Sequence, residues 1–179
     1  MNTLMPFALR KLEYKILWNQ PPTPEEEKWL GVGELRADAL VDIATEDNSL
    51  SLYIFDDQSA VTLDRILGAV GATRNVVAKL DFAVFDVTLV EGIEITKVAR
   101  PGKTPDAAVN AVHLDLMHLT ATKLAALGNE IQRHAKIDRR QPKDMGRLIN
   151  KHIKAGYIDS SIVDPTLLER LKEEKYAVR

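Results

Sequence analysis

Six cations crowd one short stretch of the chain: Arg139, Arg140, Lys143, Arg147, Lys151 and Lys154. At about 100° per residue, Lys143, Lys154, Arg147 and Lys151 fall within about 80° of arc on one side of a helix. Met145, Leu148, Ile149, His152 and Ile153 form the opposite, apolar side. A row of cations on one face can neutralise a row of phosphates. It can equally dock on an acidic protein, and the solvated side of any amphipathic helix has a similar composition. These six residues are the expected anion-binding positions. The charge distribution sharpens the expectation. Residues 133–154 hold 8 basic and 2 acidic side chains, whereas residues 1–132 hold 12 basic and 19 acidic ones, in a chain of formal net charge −2. Charge asymmetry between segments points to an anionic partner.

Other residues have chemistry but not the spacing to compose a site. His113, Asp115 and His118 suggest a metal, yet paired ligands on a helix need spacings of three or four, and these histidines are five apart. No metal and no cofactor are expected, and His113 reads as a core histidine. Asp56 and Asp57 read as a solvated turn. Arg100, Gly102, Lys103 and Thr104 form a loop able to hold an anion. Lys123 falls inside an apolar arc, where a lysine normally buries its stem and keeps its head at the edge. The phosphate-binding and nucleophile signatures G-x-x-x-x-G-K-[ST], G-x-G-x-x-G and G-x-S-x-G are missing. An enzyme acting on phosphodiesters would have to use Lys123, Arg147 or His152.

Three short stretches resemble known families. Leu148 to Ile158 (LINKHIKAGYI) resembles a winged-helix recognition helix, which ends at a glycine and is followed by a strand. The R-x4-H spacing of Arg147 and His152 resembles the signature of HEPN-type ribonucleases, in which the histidine acts on the ribose 2′-OH or the phosphate. That family is all-helical, whereas this chain has strand patterns, and the two residues lie about 140° apart on a helix. Residues 120–148 resemble the helical region of bacterial nucleotidyltransferase-like proteins, toxin–antitoxin members included. Those enzymes hold Mg²⁺ with two acidic residues two apart on a strand. Here Asp81 and Asp86 are five apart, which puts them on opposite faces. The resemblance therefore implies at most a relative of that fold without its activity.

The elements that must position these residues are read from periodicity. Leu12, Tyr14, Ile16 and Trp18 alternate as a strand. Thr23-Pro24-Glu25-Glu26 starts a short helix, and residues 34–44 suit strand or helix. Ser49 to Phe55 (SLSLYIF) is a strand, and Val61, Ile66, Leu67 and Val70 lie on a helix ending at Gly71. Lys79 to Val90 and Ile93 to Val98 read as a hairpin turning at Glu91-Gly92. From about Asp106 the pattern becomes helical, with Val112, Leu116, Met117, Leu119, Leu124, Leu127 and Ile131 covering an arc of roughly 160°. Residues 137–142 break it, the basic helix follows and stops near Gly156, and a last helix starts at Pro165.

The predicted fold is α+β: a small, mostly antiparallel sheet of four or five strands from the N-terminal half, packed by C-terminal helices. The chain reads as one domain, 1–179, with a β-rich segment over residues 1–98, a helical segment over residues 106–179 and a soft boundary near 99–105 or 137–142. Its 179 residues, 45% hydrophobic and 28% charged, fit an ordinary globular domain. Absence of cysteine excludes disulfides, thiolate metal sites and a cysteine nucleophile. Arg10, Lys11, Glu13 and Lys15 interrupt any leader-like apolar run, and no stretch approaches the ~20 apolar residues of a membrane span. A cytoplasmic protein with no membrane contact is expected. The expected function is non-enzymatic: a binding or regulatory protein presenting its basic helix to nucleic acid or an acidic protein. The alternatives are an enzyme on phosphodiesters or nucleotides, ribonuclease-like or degenerate nucleotidyltransferase-like, and an interaction module acting through its sheet.

Overall fold

Alternation of side chains along strands sets the architecture. The computed structural model describes residues 6–12, 18, 20–43, 48–56 and 60–177. Six strands form one sheet: β1 (Phe7–Leu12), β2 (Leu50–Phe55), β3 (Leu80–Asp86), β4 (Thr96–Ala99), β5 (His113–Met117) and β6 (Lys136–Arg140). Their spatial order is β4-β5-β2-β1-β3-β6, and every neighbouring pair is antiparallel. The helices are α1 (Leu63–Gly71), α2 (Thr88–Glu91), α3 (Ala107–Ala111), α4 (Ala121–His134), α5 (Pro142–Lys154) and α6 (Pro165–Leu171). The class is α+β with an antiparallel sheet, as the patterning predicts.

Apolar layers pack on both faces of the sheet. One presents Ala8, Leu12, Leu50, Leu52, Ala83, Phe85 and Leu116 to Leu127 and Ile131 of α4, to Trp18, and to the 3-10 turn Ala37–Ile43. Trp18 is anchored there, its Nε1 donating to Asp42 at 2.9 Å while Gln132 donates to its carbonyl at 2.7 Å. The other face presents Leu9, Phe55, Leu80 and Phe82 to Ile66, Leu67 and Val70 of α1, Val109 of α3 and Met145 of α5. Beyond α5 a third apolar cluster joins Ile149 to Ile158, Val163, Leu167 and Leu171, which docks α6.

Three sequence expectations are corrected. Residues 106–132 are not one helix: α3 ends after five residues, β5 follows, and α4 begins only at Ala121. The apolar residues of this stretch fit a helical wheel, but Leu114 and Leu116 also alternate with His113, Asp115 and Met117. Pairing with β2, with Leu50 opposite Leu116 and Leu52 opposite Leu114, selects the strand. The expected hairpin at Glu91-Gly92 does not form. That segment is the short α2, and β3 and β4 lie far apart in the sheet with β5, β2 and β1 between them. Residues 136–140 are the edge strand β6 rather than a break. The strand expected over Leu12–Trp18 falls mostly outside the described residues; β1 precedes it. The Thr23 start is present as a capping box: Glu26 N–H donates to Thr23 Oγ1 at 3.3 Å and Thr23 N–H to Glu26 Oε2 at 2.8 Å. It opens a single 3-10 turn, Glu26–Lys28.

One buried ion pair locks the helical layer. Asp106 caps α3, accepting from the backbone N–H of Ala108 at 2.9 Å and Val109 at 3.2 Å. Arg65 of α1 donates to both its oxygens, at 2.6 and 2.9 Å. The guanidinium also lies 4.0 Å from the ring centre of Tyr157, just past α5. Burial alone would raise the Asp106 pKa. The Arg65 hydrogen bonds and the two amides outweigh it and hold the carboxyl below its usual range. Removing one member of such a pair strands the other charge. Asp106→Ala should therefore cost about 3–5 kcal/mol of unfolding free energy, measured by urea denaturation. A loss under about 1 kcal/mol would place the pair with ordinary surface ion pairs.

Candidate functional site

The basic helix α5 forms where expected. Met145, Ile149 and His152 are buried and Leu148 and Ile153 half-buried, while Lys143, Arg147, Lys151 and Lys154 are exposed. Proline at the first turn starts it, and a left-handed Gly156 (φ 72°) follows its end. None of those four cations pairs with a carboxylate among the described residues. The helix rises about 16 Å between Lys143 and Lys154.

Arg139 and Arg140 are placed differently. Both belong to β6, on opposite faces of the sheet. Arg139 donates to both oxygens of the buried Asp81, at 2.6 and 2.8 Å, which raises its already high pKa. Breaking a pair with one fully buried carboxylate is strongly destabilising, so this guanidinium is committed to the fold. Arg140 reaches Asp64 at 3.1 Å with both side chains well exposed. Such a contact is worth about 0–1 kcal/mol, so Arg140 can exchange Asp64 for an outside anion at little cost.

The residues considered for an enzyme do not converge. Arg147 points to solvent, whereas His152 is buried between α5 and α1. Lys123 lies in the first turn of α4 and donates to the Glu94 carbonyl at 2.8 Å, on the other side of the sheet. His118 sits in a left-handed turn between β5 and α4 (φ 58°). No strand follows Gly156 among the described residues, which departs from the winged-helix pattern; a 3-10 turn, Ser160–Ile162, comes instead. Among the described residues, no three His, Asp or Glu side chains converge to hold a metal ion, and no helix is long and apolar enough to cross a membrane.

His152 has a site of its own. Its ring lies against Gly68 of α1, where an added Cβ would approach Cδ2 to 2.7 Å. The ring borders a cavity of about 590 Å³ lined also by Phe7, Phe55, Asp56, Asp64 and Lys151. Neither ring nitrogen completes a hydrogen bond of ordinary geometry. Burial, reinforced by Lys151, lowers its pKa, and the nearby Asp64 backbone only partly opposes this.

The 100–104 loop, read in the sequence as able to hold an anion, forms the roof of a second concave site whose floor was not legible there. Ser51 and Tyr53 of β2 stand opposite Asp115 and His113 of β5. His113, expected on the apolar side of a helix, instead meets Tyr53 edge-on at 5.1 Å and donates from Nδ1 to the Arg100 carbonyl at 2.8 Å. Asp115 accepts from Ser51 Oγ at 3.0 Å and lies 3.7 Å from Arg100 Nη1. With Arg10, Pro101, Lys103 and Met117 these residues line an open cleft of about 640 Å³. The period-two alternation of HLDLM is the signal that could have found its floor.

The His152 environment makes a pH prediction. Its folded pKa lies below the unfolded value of about 6.5, so the unfolded chain takes up the proton first as pH falls. The contribution is fully present above about pH 6.5 and is lost as pH drops towards the folded pKa. His152→Phe should therefore lose less unfolding free energy between neutral and mildly acidic pH than the parent chain, measured by urea denaturation at each pH. Parallel pH profiles for the two proteins would refute this.

No family model matches the chain, and no curated protein or solved structure is significantly similar to it. The chemistry of the site therefore follows from its own residues and their placement.

Proposed function

We propose that the protein is a non-enzymatic binding protein that lays the exposed side of α5 along the phosphate backbone of a nucleic acid. The observation that supports this most is the contrast among neighbouring cations. Arg139 and Arg65 are held by buried carboxylates, whereas Lys143, Arg147, Lys151 and Lys154 stand exposed with no acidic partner among the described residues. Their span of about 16 Å matches about five steps of a nucleic-acid strand at ~3.4 Å each. Arg140, loosely held, adds a further cation beside the row. The exposed side of the helix offers polar and charged residues rather than large apolar anchors. That suits phosphate contacts better than a protein interface, which draws its energy from buried aromatic and aliphatic anchors. Backbone contacts position a nucleic acid without reading its bases, so binding is broad in sequence.

The test is fluorescence anisotropy with a labelled duplex and a labelled single strand across a salt series. Four phosphate contacts give a slope of log K against log salt of about −3.6 for duplex and about −2.8 for single strand. Arg147→Gln should reduce the slope by about 1. Charge reversal of Lys143, Arg147 and Lys151 to Glu should abolish binding while the helix stays folded, because Met145, Ile149 and His152 are untouched. Absence of binding at low salt would overturn the proposal and turn the search to acidic proteins.

A further inference from the structure

The cleft over β2 and β5 is built independently of the basic helix. Its floor is the strip of sheet that α1, α3 and α5 leave uncovered, where Ser51, Tyr53, His113 and Asp115 all face the same side. Its roof is the loop 100–104, and that loop is fixed. The Asn110 side chain accepts from Thr104 N–H at 2.7 Å and from Thr104 Oγ1 at 2.8 Å, and donates to the Thr104 carbonyl at 2.8 Å. Gly102 N–H donates to the Asn110 carbonyl at 2.9 Å. Gly102 lies so close to α3 and β5 that an added Cβ would meet Asn110 Oδ1 at 2.9 Å and His113 Cβ at 3.3 Å. A loop held in this way presents Arg100 and Lys103 without first having to be ordered, which removes a cost that binding would otherwise bear.

The 100–104 loop brings two cations, Arg100 and Lys103, to a cleft that Asp115 also lines. Lys103 is exposed and has no acidic partner among the described residues. Arg100 meets Asp115 only at 3.7 Å, well beyond the 2.7–2.9 Å typical of a charge-assisted hydrogen bond. One oxygen of Asp115 already accepts from Ser51. Arg10 lies at the wall, where its Nη1 donates to the Ser51 carbonyl at 3.1 Å. We propose that this cleft binds a phosphate monoester of a small organic molecule. Arg100 and Lys103 approach from the roof, over a floor where the Ser51 hydroxyl already donates to Asp115 and the His113 ring to the Arg100 carbonyl. Two cations suit the nearly double negative charge of a phosphate monoester better than the single charge of a carboxylate. The volume of about 640 Å³ exceeds what a bare phosphate fills and lies within the usual range for small-molecule sites. Tyr53, Pro101 and Met117 supply apolar surface for the organic moiety.

Isothermal titration with phenyl phosphate, inorganic phosphate and benzoate tests this. Phenyl phosphate should bind with a measurable heat, more tightly than inorganic phosphate, and benzoate should bind at least about tenfold more weakly. The double substitution Arg100→Gln/Lys103→Gln should weaken phenyl phosphate by about tenfold or more. Both side chains are exposed, so folding is not at risk. The α5 variant with Lys143, Arg147 and Lys151 changed to Glu should bind phenyl phosphate as the parent does, which separates this site from the nucleic-acid surface. No heat at millimolar phenyl phosphate, equal affinity for benzoate, or an unchanged affinity in the Arg100/Lys103 variant would each overturn the proposal.

Discussion

The Asp106 carboxylate is the constraint on which the arrangement of the helical layer depends. Four donors converge on it: two nitrogens of Arg65 and the amides of Ala108 and Val109. A carboxylate taken out of water needs such saturation, since an unpaired one would be strongly destabilising. Satisfying it fixes α1 relative to α3. The same guanidinium packs on Tyr157, and Asp159 N–H donates to the Pro105 carbonyl at 2.8 Å, so the end of α5 is tied to the same point. Thr104, two residues before the carboxylate, is bound to Asn110 on the following helix. Both the row of cations on α5 and the loop above the β2–β5 cleft are thus referenced to one buried side chain.

The strands and helices legible in the sequence are those whose local signals agree. Leu50–Phe55 alternates and is bounded by turn residues, and α1 has a Thr62 cap whose side chain accepts from Arg65 N–H. The basic helix has proline at its start, a clean apolar side and a glycine just beyond its end. Where two periods fit equally, tertiary pairing decided. Val112 to Ile131 satisfies a helical wheel, yet the hydrogen bonds of β2 are completed only if residues 113–117 extend. The supposed hairpin failed for a related reason. Phe82 pairs with Lys11 of β1 on one side and Asp138 of β6 on the other, so β3 has no free side for β4.

The candidate site divides along the same line. The row Lys143, Arg147, Lys151 and Lys154 could be read because all four residues lie on one regular helix. That Arg139 is committed to Asp81, 58 residues earlier, and that Arg140 meets Asp64, 76 residues earlier, only loosely, could not be read, because the partners come together only through the fold. Of the cleft, only the 100–104 loop could be read, for the same reason. The cleft takes residues from β1, β2, β5 and the 100–104 loop, and no window of sequence contains more than two of those segments.

The order of the sheet has a consequence for how the protein behaves at high concentration. Its two edges are β4 and β6, the sequences TKVA and KIDRR. Both are short, and both carry lysine or arginine along a backbone that would otherwise offer unpaired amides and carbonyls to a second chain. The long apolar strands β1, β2 and β3 all lie inside, each flanked on both sides. Short charged edges are a general means by which β-sheets resist edge-to-edge growth. This sheet is therefore protected from stacking into fibrillar assemblies so long as it stays folded, and the hazard passes to states in which β6 has detached and the aromatic residues of β3 stand at an open edge.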